Sequence, residues 1–207
     1  MRRSRLTAAF AAASAILLAA SVLAAAAIGN RLDTVFGGLL KPIIVNELVA
    51  KVGKTKLYSR DVAMLRLLKK AGLSGEEGEL EDGELLGQLI ELTLLYEYAN
   101  GSGMTYDEST FSETLKRVNA ALETEEARKL VFEYKKRFAR SDKGFDEDLR
   151  AALDRELKVR VLILALYYAA MAQGMLSEDL PESEAKEIVR DRLLSKLRAK
   201  TIIEVYE

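Results

Sequence analysis

The sequence predicts a mainly α-helical protein with a small β-sheet, preceded by an N-terminal hydrophobic helix. Three observations lead to this fold class. Apolar residues recur at helical spacing over most of the chain after residue 59, and the 207 residues include only two prolines. A hairpin pattern opens this region near residue 48, and an alternating strand pattern closes it at residues 201–206. An uncharged apolar run, residues 6–29, precedes both.

The leader has the layout of a bacterial export signal. Arg2, Arg3 and Arg5 precede the 24 uncharged residues 6–29, of which twelve are alanine. Small residues near Ala27 suit cleavage, whereas a run of this length also suffices to span a bilayer core of about 30 Å. Residues 1–29 are therefore either a cleaved signal peptide or a retained signal anchor.

Both alternatives place the rest of the chain on the far side of the membrane, because the leading arginines stay inside. We expect a periplasmic or otherwise extracytoplasmic protein, either soluble after cleavage or attached to the inner membrane through residues 6–29. Residues 30–46, broken by two glycines and Pro42, form a linker, and residues 47–207 form the folded domain.

Composition argues against several functional classes. The chain contains no Cys, His or Trp, so the commonest general base and zinc ligand are missing. Without the three arginines of the leader, 28 basic residues face 32 acidic ones, which does not suit a nucleic-acid-binding surface. We expect no catalytic residues, no metal site, no cofactor and no nucleic-acid partner.

The hairpin is predicted over residues 48–58, with a turn at Gly53-Lys54. Glycine at the first of two loop positions suits a type II′ turn. Ser59 is the expected N-cap of the following helix, with Asp61 in its first turn. An isolated hairpin is marginal in water, so residues 201–206 are expected to pair with it and join the two ends of the domain.

Six helices are predicted, over about residues 59–70, 83–100, 107–122, 124–139, 146–175 and 182–200. Residues 72–83 form an acidic, solvated loop, and residues 141–145 break the chain before the long fifth helix. The spine of that helix is Leu149, Leu153, Leu157, Val161, Leu164 and Tyr168. Its residues 161–172 are apolar on all sides yet too few to span a bilayer, so they are expected in the core with neighbours on several sides.

Several segments resemble one family. VAKVGKTKLYSRDV, residues 49–62, is similar to the opening of SurA-type periplasmic chaperones and their membrane-anchored PpiD-like relatives. LLGQLIELTLLYEYANGSGMTYDE, FDEDLRAALDRELKVRVLI and RDRLLSKLRAKTIIEVYE resemble the second, long and closing helices of that family. The resemblance covers residues 47–207, and the leading positions that match are Val49, Ala50, Val52, Leu57, Asp61 and Val62.

Two departures from the family are visible. Gly53-Lys54 stands where the family usually has Asn-Gly, and only residues 176–181 fill the place where many members carry a parvulin prolyl-isomerase domain. The resemblance implies a helical SurA-like chaperone domain that binds unfolded exported or outer-membrane polypeptides without ATP and without isomerase activity. The alternative is a membrane-anchored structural or adaptor protein that uses the same fold to dock one dedicated envelope partner.

Client binding of this kind requires an adaptable apolar surface, for which methionine and aromatic side chains are suited. The candidate client-binding residues are Met64, Tyr96, Tyr98, Met104, Phe132, Tyr134, Phe138, Met171 and Met175. The same side chains are also those expected to fill a hydrophobic core, and the sequence leaves both interpretations open.

Overall fold

The computed structural model describes residues 46–72, 81–177 and 179–206, so the leader, the linker up to residue 45 and most of the acidic loop lie outside the described residues. Helices dominate, and a three-stranded antiparallel sheet accompanies them, which confirms the predicted mainly α-helical fold with a small sheet; the predicted N-terminal hydrophobic helix lies outside the described residues. In chain order the elements are β1 (Leu48–Val52), β2 (Thr55–Tyr58), α1 (Ser59–Lys70), α2 (Asp82–Gly101), α3 (Glu108–Leu122), α4 (Glu125–Arg137), α5 (Asp142–Ala172), α6 (Glu182–Arg198) and β3 (Ile203–Val205).

The sheet joins the two ends of the domain, as the sequence predicted. Its strand order is β2-β1-β3, and β1 pairs antiparallel with both neighbours. Val52 lies opposite both Thr55 and Ile203. Gly53 has φ 58°, while Lys54 does not share this positive φ, which is the pattern of the expected type II′ turn.

The start of α1 differs by one residue from the prediction. Tyr58, not Ser59, is the N-cap, because its extended backbone (φ −117°, ψ 160°) continues β2 up to the first helical residue. Asp61 Oδ2 accepts a hydrogen bond from the Tyr58 N–H at 2.9 Å. The Ser59 Oγ accepts from the Glu47 N–H at 3.2 Å instead of capping the helix, and so fixes the chain just before β1.

Two hydrophobic cores lie along α5. The first core is formed by α1, α3, α4 and the N-terminal half of α5, where Leu153 is fully buried. The second core is formed by the sheet, α2, α6, the other face of α1 and the α5 residues Val159 and Leu162. α5 therefore packs in both cores, and it presents opposite faces to them, because Leu162 lies five residues beyond Leu157.

The long helix begins earlier than predicted, at Asp142. The expected break over residues 141–145 is wrong, because these residues form the cap and first turn of α5. Ser141 is the N-cap, and its Oγ accepts a hydrogen bond from the Gly144 N–H at 3.1 Å. Such a cap stabilises a helix start by about 1 kcal/mol.

Residues 161–172 pack against the core on one side only, which corrects the prediction of packing on several sides. Only Leu162 among them is buried, and 60% of Tyr168 is exposed. The physical reason is length: 31 helical residues extend about 46 Å, farther than the helices of the first core follow them. Within the described residues, no helix is long and apolar enough to cross a membrane.

Candidate interaction surface

An apolar face that the described part of the chain leaves uncovered runs along the C-terminal half of α5. Four of its side chains lie three or four residues apart within the helix, which places them on one side of it, and a fifth follows just past the helix end. We call them the outer α5 face: Val161, Leu164, Tyr168, Met171 and Met175. Tyr168 and Met175 are 60% and 57% exposed, and the other three are partly exposed. Five adjacent apolar side chains in contact with water form a patch of the kind that binds partners.

This face continues the line of α5 residues that fills the first core. Leu149, Leu153 and Leu157 are buried at intervals of four residues, and Val161 follows at the same interval. Up to Leu157 the line is covered by the helices of the first core, whereas beyond it the described part of the chain supplies no residue of either core on this side. The outer α5 face thus continues the helix surface that is buried in the first core, but the helices of that core do not reach it.

The opposite side of the same segment is held firmly. Leu162 is fully buried, and Ile163 and Leu166 pack against the second core. The Nζ of Lys186 on α6 lies 5.7 Å from the centre of the Tyr167 ring, which adds a cation–π contact between the two helices. Because one side is anchored, the helix that carries the outer α5 face is held in place, while the exposed side chains of that face keep their own rotational freedom.

The end of α5 fixes the position of Met175. Gly174 adopts φ 64°, a left-handed conformation that favours glycine and terminates the helix. The Met175 N–H donates to the Ala170 carbonyl at 2.9 Å, and the Gly174 N–H donates to the Met171 carbonyl at 3.0 Å. Met175 therefore lies just past the C-terminal end of α5, outside the helix and next to Met171 through this turn.

The nine candidate client-binding residues fall into three groups. Met64, Tyr134 and Phe138 are buried in the first core and offer no surface. Tyr96 and Met104 pack, partly buried, against the second core. Tyr98 on α2, Phe132 on α4 and Met175 are exposed, and Met171 on the outer α5 face is partly exposed. Among the nine, the structure brings together on this face only Met171 and Met175.

Tyr134 has a structural role in the first core. Its hydroxyl donates to Asp148 Oδ2 at 2.9 Å, and Arg140 holds the same carboxylate through two contacts of 2.7 and 2.8 Å. Burial first, and then the negative charge of Asp148, raise the pKa of Tyr134 well above its ordinary value. The phenol stays protonated and donates at any ordinary pH, so it fixes α4 to α5.

Tyr96 is held in a similar way. Its hydroxyl donates to Asp154 Oδ2 at 2.7 Å, the Tyr106 hydroxyl donates to Oδ1 at 2.6 Å, and the Lys158 ammonium lies 3.3 Å away. Burial raises the pKa of Asp154, but the two phenols and the ammonium outweigh it and hold that pKa below its usual value. The Tyr96 hydroxyl therefore connects α2 to α5.

Tyr168 is the main residue of this face whose predicted and observed environments differ. It was expected in the spine of the long helix, and its spacing from Leu157 and Leu164 fits that pattern. Periodicity shows which residues share a face but not how far the neighbouring helices extend along it. Val205 on β3 and Ile202 just before it, exposed at 57% and 75%, were missed as surface residues for the same reason.

Comparison with protein-family models, with curated proteins and with solved structures found no match to this chain. The choice of the outer α5 face therefore rests on its exposure, its continuity and its residue types. Within the described residues, no group of three acidic side chains is placed to hold a metal ion.

Proposed function

We propose that this protein binds unfolded exported polypeptides, including outer-membrane proteins, without ATP, and that clients contact the outer α5 face. The observation that carries this proposal is the row of four partly or largely exposed apolar side chains on α5, followed by Met175 just past its end, on a helix anchored from its other side. An unfolded client exposes apolar side chains of many shapes, and contact with this row removes both surfaces from water.

The residue types of the face suit varied clients. Met171 and Met175 have flexible, polarisable side chains that adapt to different shapes, and Tyr168 supplies a large ring with a polar end. Full burial of one such side chain contributes about 1.5–3 kcal/mol, from which the cost of association must be subtracted. Five side chains therefore support reversible binding, which a chaperone without an energy source needs for release.

The proposed setting is the periplasm or another extracytoplasmic space, with residues 1–29 either removed or retained as an anchor. The arginines before the apolar run support this location. We propose binding rather than catalysis, and no prolyl-isomerase activity, since the folded domain carries no insertion between α5 and α6 beyond a short connection.

The test uses the full chain in lipid nanodiscs and an unfolded outer-membrane protein diluted from urea, with aggregation followed by light scattering. We expect suppression at near-stoichiometric amounts, extending to several unrelated clients. The triple variant Tyr168→Ser, Met171→Ser and Met175→Ser should lose most of this suppression without a change in its unfolding midpoint, because these side chains are uncovered.

A matched comparison is Phe132→Ser, which removes an aromatic side chain of similar exposure (63%) from α4. If suppression depends on the outer α5 face, this variant behaves as the wild type. Equal losses in both variants would mean that exposed apolar residues act without regard to location. No suppression by the wild type beyond that of empty nanodiscs would contradict the chaperone proposal.

The second candidate function is that of a membrane-anchored adaptor with one dedicated envelope partner. The spacing within α5 favours it: Val161 and Tyr168 lie seven residues apart, with Leu164 and Met171 at the alternate positions. This is the pattern by which one helix packs along another. A photo-crosslinking residue at position 168, used in living cells, separates the two candidates, because a chaperone gives many products and an adaptor gives one.

A further inference from the structure

The sheet has one edge that can accept another strand. β3 is an edge strand in the order β2-β1-β3. The Tyr206 N–H donates to the Val49 carbonyl at 3.0 Å, and the Ile202 carbonyl accepts from the Gly53 N–H at 2.9 Å. Because backbone groups alternate in direction along a strand, the N–H and C=O groups of Ile203 and Val205 point away from β1.

Of the usual protections against strand addition, β3 has its shortness, three residues, but neither lysine, proline nor a bulge. Natural sheets protect edges with lysine, proline or a bulge. The opposite edge, β2, has the exposed Lys56 and pairs with β1 through a bulge. β3 contains neither lysine nor proline, and its one charge, Glu204, is paired with Lys51 of β1 at 3.4 Å. Apolar side chains surround the edge: Ile202, Val205 and Tyr206, exposed at 75%, 57% and 40%.

We propose that an extended segment of a bound client adds to β3 as a fourth, antiparallel or parallel strand; this inference rests on the proposed function. Strand addition uses main-chain N–H and C=O groups, which every polypeptide has, so the contact is independent of client sequence. Outer-membrane clients consist of segments with alternating apolar residues that form strands when folded. Such a segment pairs with the N–H and C=O groups of Ile203 and Val205, which have no backbone partner within the described residues, and covers the adjacent apolar side chains.

A second copy of the chain is a poorer occupant of this edge. Suppose that two β3 strands pair antiparallel. Ile203 of each copy then lies opposite Val205 of the other copy only in the register that also places Glu204 opposite Glu204. Like charges directly opposite each other across two strands are destabilising. A client strand is free of this restriction, which is why the proposal names a client and not a dimer.

The test is hydrogen–deuterium exchange at single-residue resolution on the full chain in lipid nanodiscs, with and without an unfolded outer-membrane protein. The amides of Ile203 and Val205 should exchange fast alone and at least about tenfold more slowly with client, since each gains a hydrogen bond. The amide of Lys56, which points away from β1 on the other edge, is the internal control and should not change. Equal protection of Lys56 would overturn the proposal.

A variant and a set of peptides test the same contact independently. Val205→Pro removes an N–H that points away from β1, so it should weaken client binding at least about fivefold, with its fold checked by thermal unfolding. The probe peptide has eight alternating Val and Thr residues between terminal lysines and carries a fluorophore. N-methylation at alternate positions blocks one of its edges, and N-methylation at consecutive positions blocks both.

We expect the unmodified and alternately methylated peptides to bind and the consecutively methylated peptide to fail. Equal binding of all three would show apolar contact without strand pairing and would overturn this inference alone, provided that the wild type still suppresses client aggregation. Absence of both suppression and binding would instead overturn the proposed function. Protection of Ile203 and Val205 that rises with protein concentration without client would assign the edge to a second copy and overturn the proposal.

Discussion

At the scale of single residues, Asp154 shows how a charged group stabilises this helical protein. It accepts hydrogen bonds from the phenols of Tyr96 and Tyr106 and is paired with Lys158 on the next turn of α5. Its side chain is 26% exposed, so these contacts are only partly screened by water. The aspartate connects α2, the segment before α3 and α5 at one point.

We expect Asp154→Asn to lower the free energy of unfolding by about 1–2 kcal/mol at neutral pH, because charge-assisted hydrogen bonds become neutral and the ion pair is lost. The folded-state pKa of Asp154 lies below its ordinary value of 3.8, so its contribution is present above that value and is lost as the pH falls through the folded-state pKa. Urea unfolding of both proteins from about pH 7 to about pH 3, followed by circular dichroism, measures the difference.

The matched control is Glu123→Gln, which removes a 3.8 Å ion pair with Arg128 between side chains that are 76% and 68% exposed. Such a surface pair contributes little, so the control should stay within about 0.5 kcal/mol of the wild type. The stabilising role assigned to the Asp154 carboxylate would be contradicted if the difference in unfolding free energy between Asp154→Asn and the wild type grew as the pH falls.

At the scale of elements, replacing a helix glycine by alanine has an effect on stability that depends on what surrounds the glycine. Gly87 is exposed in the middle of α2, and a Cβ added there meets nothing within 4 Å. Gly144 lies in the first turn of α5, where a Cβ would come within 3.1 Å of the Arg140 Cζ. Arg140 cannot move freely, because both of its contacts to Asp148 hold it in place.

We therefore expect Gly87→Ala to raise the free energy of unfolding by about 0.5–1 kcal/mol, since alanine restricts the unfolded chain and favours the helix. The same substitution at Gly144 should give no gain or a loss, because the gain in helix propensity is offset by displacement of Arg140. Thermal unfolding of the two variants side by side measures this. A gain of similar size at both positions would show that the Arg140–Asp148 pair adjusts without cost.

At the scale of the whole molecule, α5 links the two cores. Its first half fills the core with α1, α3 and α4, and Val159 and Leu162 fill the core with the sheet, α2 and α6. Because α5 belongs to both cores, unfolding of α5 disrupts both of them, and the two cores are therefore coupled. We expect the described domain to unfold in a single transition.

Leu153→Ala tests this coupling, because Leu153 is fully buried in the first core only. We expect a loss of about 2–5 kcal/mol in the free energy of unfolding. Amide exchange in β1 and α6, which belong to the second core, should accelerate to the same degree as exchange in α3. Acceleration confined to α3 and α4 would show two independent cores. Leu164→Ala, the same change on the outer α5 face, serves as the control and should cost about 1 kcal/mol or less.

Much of the fold was predictable because it depends on local signals. Gly53 determines the hairpin turn, helix periodicity determines six helices, and alternation at residues 201–206 determines a strand. The need of a lone hairpin for a further strand predicted that the two ends of the domain would pair. The boundaries near Ser59 and Ser141 were less predictable, since several neighbouring residues can cap a helix.

The sequence by itself determined the elements, their order, the closure of the sheet and which residues share each face of α5. Only the tertiary structure decided which of those faces is covered. Leu157 and Val161 are both apolar and lie four residues apart on the same face of α5. Leu157 is nevertheless buried, whereas Val161 lies at the start of an uncovered face. The reason is that burial depends on how far the neighbouring helices extend, a non-local property that the periodicity of one helix does not contain.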